Sequence, residues 1–422
     1  MDSKILKISA PLKPVCTEIS LPASKSIANR LLIIQSFNPS MTIGNLSEAN
    51  DTVLLQQLIK QMQESHNQHN VVTFDAGPAG TVYRFMTARL AIEQGTWFLT
   101  GTERMKERPV KLLVDALRTL GADIEYAGKE DYPPLIIHGK KLKGGAVSID
   151  AGVSSQYISA LLMIGPGLEE GLDLTLTGKA GSLPYIEMTV RLMQQAGINV
   201  ITNKKRYIIP TQKYAPVEII TEPDWSAASY WFQIVSMNKN AEVLLRDLKP
   251  FSLQGDSTVR ALFENLGVCS EFTNEGLLLK NCDNNLKYFK ADFTDIPDLA
   301  QTFVTTLVAK GIPSVLTGLR SLRIKETDRI TALISELKTC GLVAVEKENF
   351  TIELPPQTMI LKGEAPFIHT WHDHRMAMSF APLCLTGQPL QIENPDVVQK
   401  SYPDFWRHLK DAGFSTEVVT NR

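Results

Sequence analysis

Cysteine is scarce in this chain: five residues in 422 (Cys16, Cys269, Cys282, Cys340 and Cys384), with none between Pro22 and Glu222. No pair has metal-site or redox-motif spacing, so reduced thiols in a cytoplasmic setting are expected rather than disulfides. Long apolar runs are also missing. None reaches the roughly 18 residues needed to cross a bilayer, and the Met1–Lys13 start lacks the apolar stretch of a signal peptide. A soluble chain with no membrane partner is the expectation. Net charge is nearly absent, at −2, which argues against nucleic-acid binding through bulk electrostatics. Any cationic site must be a local concentration of charge. There is no low-complexity segment, and His66–His69 reads as a polar surface loop. The length suggests two or three domains.

What is present is more pointed. Six strongly apolar, helix-like runs open with small, polar or charged residues: Ser24-Lys25-Ser26 with Arg30, Gly80-Thr81 with Arg84, Ser154-Ser155-Gln156, Asp224-Trp225-Ser226, Asp295 to Asp298, and Asp373-His374-Arg375. A helix N-terminus carries partial positive charge, so cations placed there work against the dipole. Such conflicts are tolerated mainly where function requires them. Spare N–H groups beside misplaced cations make a site for a multiply charged anion.

A second helix type recurs between these runs. It is amphipathic, with apolar residues at i, i+3, i+4 and i+7 (Val110, Leu113, Val114, Leu117; Val259, Leu262, Phe263, Leu266; Ile330, Leu333, Ile334, Leu337). Each ends on a glycine, Gly121, Gly267 or Gly341, suited to a left-handed C-cap. Gly197 and Gly413 close two more, after Pro184–Ala196 and Pro403–Ala412, and Asp51–Gln63 is a less clean copy. These glycines recur about every 70 residues, too long a period for a solenoid. Leu135–His138, Leu172–Leu176, Tyr207–Ile209 and Thr351–Leu354 read as short strands. The chain is therefore expected to hold six units of one buried helix, one amphipathic helix and short strands.

At this point a family resemblance emerges. Leu21-Pro22-Ala23-Ser24-Lys25-Ser26 with Asn29-Arg30 resembles the first signature of the 5-enolpyruvylshikimate-3-phosphate synthase family, and Arg104-Met105-Lys106-Glu107-Arg108-Pro109 the second. Ser154-Ser155-Gln156, Ser182 with Tyr185, Asp295-Ile296-Pro297-Asp298, Arg323 to Arg329, Asp373 to Met378 and Lys400 to Asp404 follow in family order. The resemblance implies an α/β (α+β) fold of two similar domains, each of three βαβαββ units with buried parallel helices, and an active site in the interdomain cleft. It implies a discontinuous first domain of residues 1–20 plus 226–422, a second of 21–225, and crossings near 21–23 and 222–225. The implied reaction moves the enolpyruvyl group of phosphoenolpyruvate to the 5-hydroxyl of shikimate 3-phosphate. It needs no metal or organic cofactor, and the family's habit is a cytoplasmic monomer.

Residue by residue, the resemblance places phosphoenolpyruvate against Lys25, Gly80, Arg108, Gln156, Arg329, Arg375 and Lys400. Arginine suits the task, because its planar fork binds carboxylate and phosphate bidentately. Shikimate 3-phosphate would lie against Ser26, Arg30, Ser154, Ser155, Gln156, Ser182, Tyr185, Asp298, Ser321 and Lys325. Asp298 is the implied base toward the hydroxyl, Glu326 the acid toward carbon, and Lys25 a third proton-transfer candidate. Each has a plainer reading: serines and acids at helix starts cap helices. His369, His372 and His374 with Asp373 resemble a metal cluster, but Asp373 and His374 are better read as orienting Arg375.

The chain departs from common family usage at Ala23, Pro78, Phe85 and Ser321. A sister enolpyruvyl transferase acting on UDP-N-acetylglucosamine typically carries a reactive Cys where this chain has none. A non-catalytic phospho-ligand binder on the same scaffold would not need Asp298 and Glu326 together.

Overall fold

The computed structural model describes residues 4–65, 70–152, 154–178, 181–357 and 364–420. The His66–His69 stretch lies outside them. The chain divides into two compact units, one comprising the residues up to Pro22 and from Glu222 onward, the other Ala23–Thr221.

One pattern recurs in both. In the Ala23–Thr221 unit, strand Val72–Asp75 runs parallel to Gly95–Thr100 across the buried Gly80–Ala91 helix. Gly95–Thr100 then pairs antiparallel with Leu135–Gly139, which pairs with Asp123–Tyr126. The same βαβαββ order recurs in the sheet of Gly145–Asp150, Leu172–Thr177, Arg206–Ile209 and Ile201–Asn203. A third pair, Glu218–Ile220 parallel to Thr42–Gly44, has only the first two strands.

In the other unit, Phe289–Asp292, Ser314–Thr317, Thr351–Leu354 and Val345–Lys347 form such a sheet. The remaining two sheets borrow strands from the chain start. Cys16–Ile19 lies parallel to Glu242–Arg246, and Lys4–Ser9 sits between Leu390–Glu393 and Ser415–Thr420. The expected unit is thus complete in five sheets among the described residues.

The apolar runs form the buried helices: Lys25–Gln35, Gly80–Ala91 and Ser155–Ile164 in one unit, Trp225–Met237, Ala300–Ala309 and His374–Phe380 in the other. A helix apolar on all sides has no wet face and must be enclosed. Phe303 shows how tightly, with Phe263, Phe293 and Phe289 ring centroids at 4.6, 5.3 and 5.7 Å. The few polar groups among these helices tie them together: Gln233 Nε2 donates to Thr305 Oγ1 at 2.9 Å and to the Ser379 carbonyl at 3.0 Å. The glycines expected to end the amphipathic helices, Gly121, Gly197, Gly267, Gly341 and Gly413, all have positive φ.

The thiol expectation needs correction. Cys269 and Cys282 are joined in a disulfide, their Cα atoms 5.9 Å apart. Strands Val268–Phe272 and Gly276–Asn281 are antiparallel, with Cys269 opposite Lys280, so Cys282, two residues beyond Lys280 and donating its N–H to the Gly267 carbonyl, is its diagonal neighbour on the same face. Strand register, invisible in a 13-residue spacing, decides the pairing. Cys16, exposed, and Cys340 and Cys384, buried, are thiols. Among the described residues no helix is long and apolar enough to cross a membrane.

Candidate functional site

The predicted site residues form two clusters, one in each unit. In the Ala23–Thr221 unit the starts of the buried helices are poorly capped. Ser24 makes no side-chain cap bond and its hydroxyl is buried without a partner, while Ala79 has no side chain to cap with. Spare backbone donors therefore remain at the helices starting with Lys25 and Gly80, where the dipole favours an anion. Ser154 does cap, accepting from the Gln156 N–H at 3.3 Å. Ser182 does not. Its backbone is left-handed (φ +57), so the plain capping reading fails for this residue.

The cations of this unit are differently occupied. Lys25 Nζ pairs with Asp51 at 3.1 Å. Arg30, 2% exposed, donates to Thr189 Oγ1 (2.7 Å), Ser159 Oγ (3.1 Å) and the carbonyls of Ser26 (2.8 Å) and Tyr185 (3.3 Å). Most of its fork is thus engaged internally, and burial pushes its pKa down to about 10. Arg84, buried over the Tyr157 ring, donates to Gln156 Oε1 at 2.7 Å, and Gln156 Nε2 donates to Thr81 Oγ1 at 2.9 Å. The Gln156 amide is neutral and cancels no charge. Arg84 lies one turn into the buried apolar helix that starts at Gly80 and stands outside the ligand set expected from the sequence.

Gly80 explains its own lack of a side chain. A Cβ there would lie 2.5 Å from Arg108 Nη1 and 2.6 Å from Arg84 Nη1. Two guanidinium groups close over the helix start, and only glycine leaves them room. Gly80→Ala is therefore expected to displace both arginines. The Kd for an anion held there should rise, by up to about 100-fold, the scale on which displacements near 1 Å act, with thermal stability little changed. Calorimetric titration with inorganic phosphate would check this.

The other unit gathers Asp298, Lys325, Glu326, Arg329, Asp373, Arg375 and Lys400. Asp298 lies in the short turn Pro297–Leu299 ahead of the Ala300–Ala309 helix. Arg329 opens the Arg329–Thr339 helix behind the Asp328 N-cap, and Asp373 caps the His374–Phe380 helix through the Arg375 N–H. Arg329, 1% exposed, reaches three carboxylates: Asp373 Oδ2 at 2.6 Å, Glu326 Oε2 at 3.0 Å and Asp298 Oδ1 at 3.1 Å. Arg375 Nη2 holds Asp298 Oδ2 at 2.8 Å, Lys325 Nζ lies 3.5 Å from Asp298, and Lys400 Nζ lies 3.4 Å from Glu326.

The electrostatics follow from that list. Burial pushes the Asp298 carboxyl up, but Arg375, Lys325 and Arg329 outweigh it and hold the group well below the usual carboxylate range. Burial lowers Lys325 despite the carboxylates nearby. Asp256, 3% exposed and accepting from Ser226 Oγ, is pushed up to about 6 by burial and by Asp298. The acids at the helix starts were expected either to cap or to react. Asp328 and Asp373 cap, while Asp298 and Glu326 are bound to side-chain cations. The Ser321 hydroxyl is buried without a partner in the Arg320–Ile324 turn. His369 Nδ1 lies 3.0 Å from Glu393 Oε2, and His374 is 3.6 Å from Asp373 Oδ1. Among the described residues no three or more His, Cys, Asp and Glu side chains are arranged to hold a metal ion.

Each cluster by itself suits an anion: the Ala23–Thr221 unit offers spare helix-start donors beside Arg84 and Arg108, and the other unit sets cations around an ionised carboxylate. A family profile for EPSP synthase (3-phosphoshikimate 1-carboxyvinyltransferase) matches residues 10–409. A 3-phosphoshikimate 1-carboxyvinyltransferase of Bacteroides fragilis (strain YCH46) is 44% identical, the match covering 97% of this chain and 98% of that protein. One from Vibrio atlanticus (strain LGP32) is 34% identical over 95% and 97% of the two chains. The solved EPSP synthase of Acinetobacter baumannii shares the fold with a TM-score of 0.79, at 21% identity over 99% of this chain and 100% of that one.

Proposed function

The chain belongs to the EPSP synthase (3-phosphoshikimate 1-carboxyvinyltransferase) family, and on that premise we propose how its residues divide the work of enolpyruvyl transfer. The substrates are phosphoenolpyruvate and shikimate 3-phosphate, and the reaction is addition followed by elimination. The 5-hydroxyl oxygen bonds to C2 of phosphoenolpyruvate as C3 gains a proton, giving a tetrahedral intermediate that still bears phosphate. Loss of a proton from the new methyl group and departure of phosphate restore the double bond.

We assign phosphoenolpyruvate to Lys25, Gly80, Arg108, Gln156, Arg329, Arg375 and Lys400. Shikimate 3-phosphate is assigned to Ser26, Arg30, Ser154, Ser155, Gln156, Ser182, Tyr185, Asp298, Ser321 and Lys325. The observation that carries the reading is Asp298, an ionised carboxylate held by Arg375 and Arg329. In the absence of ligand these cations make it a weak base. Anionic substrates bound to the same arginines screen them, so Asp298 gains basicity as the hydroxyl arrives. Glu326, between Arg329 and Lys400, is the carbon-side acid, with Lys25 a further proton carrier. Ser321 contributes only if its hydroxyl turns out from its buried position. The same reading makes the protein a cytoplasmic monomer that uses no cofactor.

Phosphate release is the test. It is expected from phosphoenolpyruvate with shikimate 3-phosphate and not with UDP-N-acetylglucosamine. Release only with the UDP-sugar would assign the sister reaction, and binding of shikimate 3-phosphate without release would leave a non-catalytic binder.

A further inference from the structure

The turn that carries Asp373 into its cluster is strained, and a buried carboxylate outside the cluster grips it. Trp371 and His372 both have left-handed backbone, with φ of +54 and +55. Residues with a Cβ seldom adopt that conformation, and two in succession persist only where the surroundings impose it. Glu336 supplies the restraint. It is 1% exposed and stands seven residues beyond Arg329, about two turns along the same face of the Arg329–Thr339 helix. Its Oε2 accepts the His369 backbone N–H at 3.0 Å and its Oε1 the Trp371 indole N–H at 2.8 Å. One helix face thus holds the turn at two points, through Glu336 and through Arg329 on Asp373. Asp373 also accepts the Arg375 backbone N–H at 2.8 Å.

We propose that Glu336 is a positioning residue: through His369 and Trp371 it maintains the left-handed turn that places Asp373, and through Asp373 it sets Arg329 and Arg375 for phosphoenolpyruvate. The inference rests on the assignment of those two arginines made above. A carboxylate suits the role because it accepts at both oxygens, whereas an amide of the same size accepts at one and presents N–H₂ at the other.

Glu336→Gln is accordingly expected to raise KM for phosphoenolpyruvate by about 10-fold, the scale of a lost bond to a charged acceptor. KM for shikimate 3-phosphate should stay unchanged, and the Trp371 indole ¹⁵N–¹H signal should shift. Adding His372→Gly, which enters the left-handed region readily, should restore KM. A purely structural Glu336 would lower the melting temperature without moving KM. A folded Glu336→Gln protein with unchanged KM for phosphoenolpyruvate overturns the proposal.

Should that variant fail to fold, Trp371→Phe removes only the indole donor at a 37% exposed position. It is expected to raise the same KM by about 3-fold, and no change would equally overturn the proposal. If the unaltered protein releases no phosphate, the functional reading has failed instead. Calorimetric binding of inorganic phosphate then reads the same arginines: weakening in the variant supports the proposal, and unchanged binding overturns it.

Discussion

Asp298→Asn should cut turnover by about 10²–10⁴-fold, the span typical of removing a general base, while shikimate 3-phosphate and phosphoenolpyruvate still bind. Asn preserves the shape and still accepts from one cation, but cannot take a proton from the hydroxyl. Removing the negative charge also leaves Arg375, Lys325 and Arg329 less compensated, so affinity for inorganic phosphate should hold or rise. Phosphate release and calorimetry separate the two effects. Turnover within a factor of about 3 of the unaltered enzyme would exclude Asp298 as the base.

The same residue makes a pH prediction. Its folded pKa is depressed, so the fold binds fewer protons here than the unfolded chain as acid is added. The stabilisation is fully present above the ordinary value of 3.8 and is lost only as pH falls through the lower folded value. Asp298 therefore stays ionised in the unliganded enzyme above about pH 5, and no acid limb of kcat/KM there is expected to come from it. A limb above that pH that vanishes in Asp298→Asn would contradict the depressed pKa, not the role as base.

The second large effect is expected at Arg329. Burial lowers its pKa, but Asp373, Glu326 and Asp298 outweigh burial and hold the guanidinium above its ordinary range. Arg329→Ala leaves these three buried or partly buried acids without their shared partner. Removing one side of a buried pair costs about 3–5 kcal/mol, which a denaturant titration would read. Arg329→Lys keeps the charge, but a single ammonium cannot reproduce a fork that meets three carboxylates. This variant should stay folded and still lose turnover by about 100-fold or more. A Lys variant with normal turnover would show that only the charge matters.

Much of the scaffold was legible because its signals are local. A fully apolar run has to be enclosed wherever it lies, so the helices at Gly80, Ser155, Trp225 and Ala300 follow from composition. A glycine after the last turn supplies its left-handed cap regardless of the tertiary fold. Misplaced cations at the helix starts likewise raise the expectation of an anion site from the sequence alone. Glu336 was less legible. It interrupts an amphipathic helix like any surface glutamate, and its burial depends on a turn more than thirty residues away.

Order along the chain and residue type therefore determined the repeating unit, the buried helices and the chemistry the site must perform. Tertiary structure alone decided how the charges are spent. It put Arg30 almost wholly into internal bonds, gathered Arg329 with three acids, hid the Ser321 hydroxyl and joined Cys269 to Cys282. The reason is range. Helix periodicity and capping act over a few residues, whereas ion pairing, burial and strand register depend on neighbours that only the fold brings within a few ångströms.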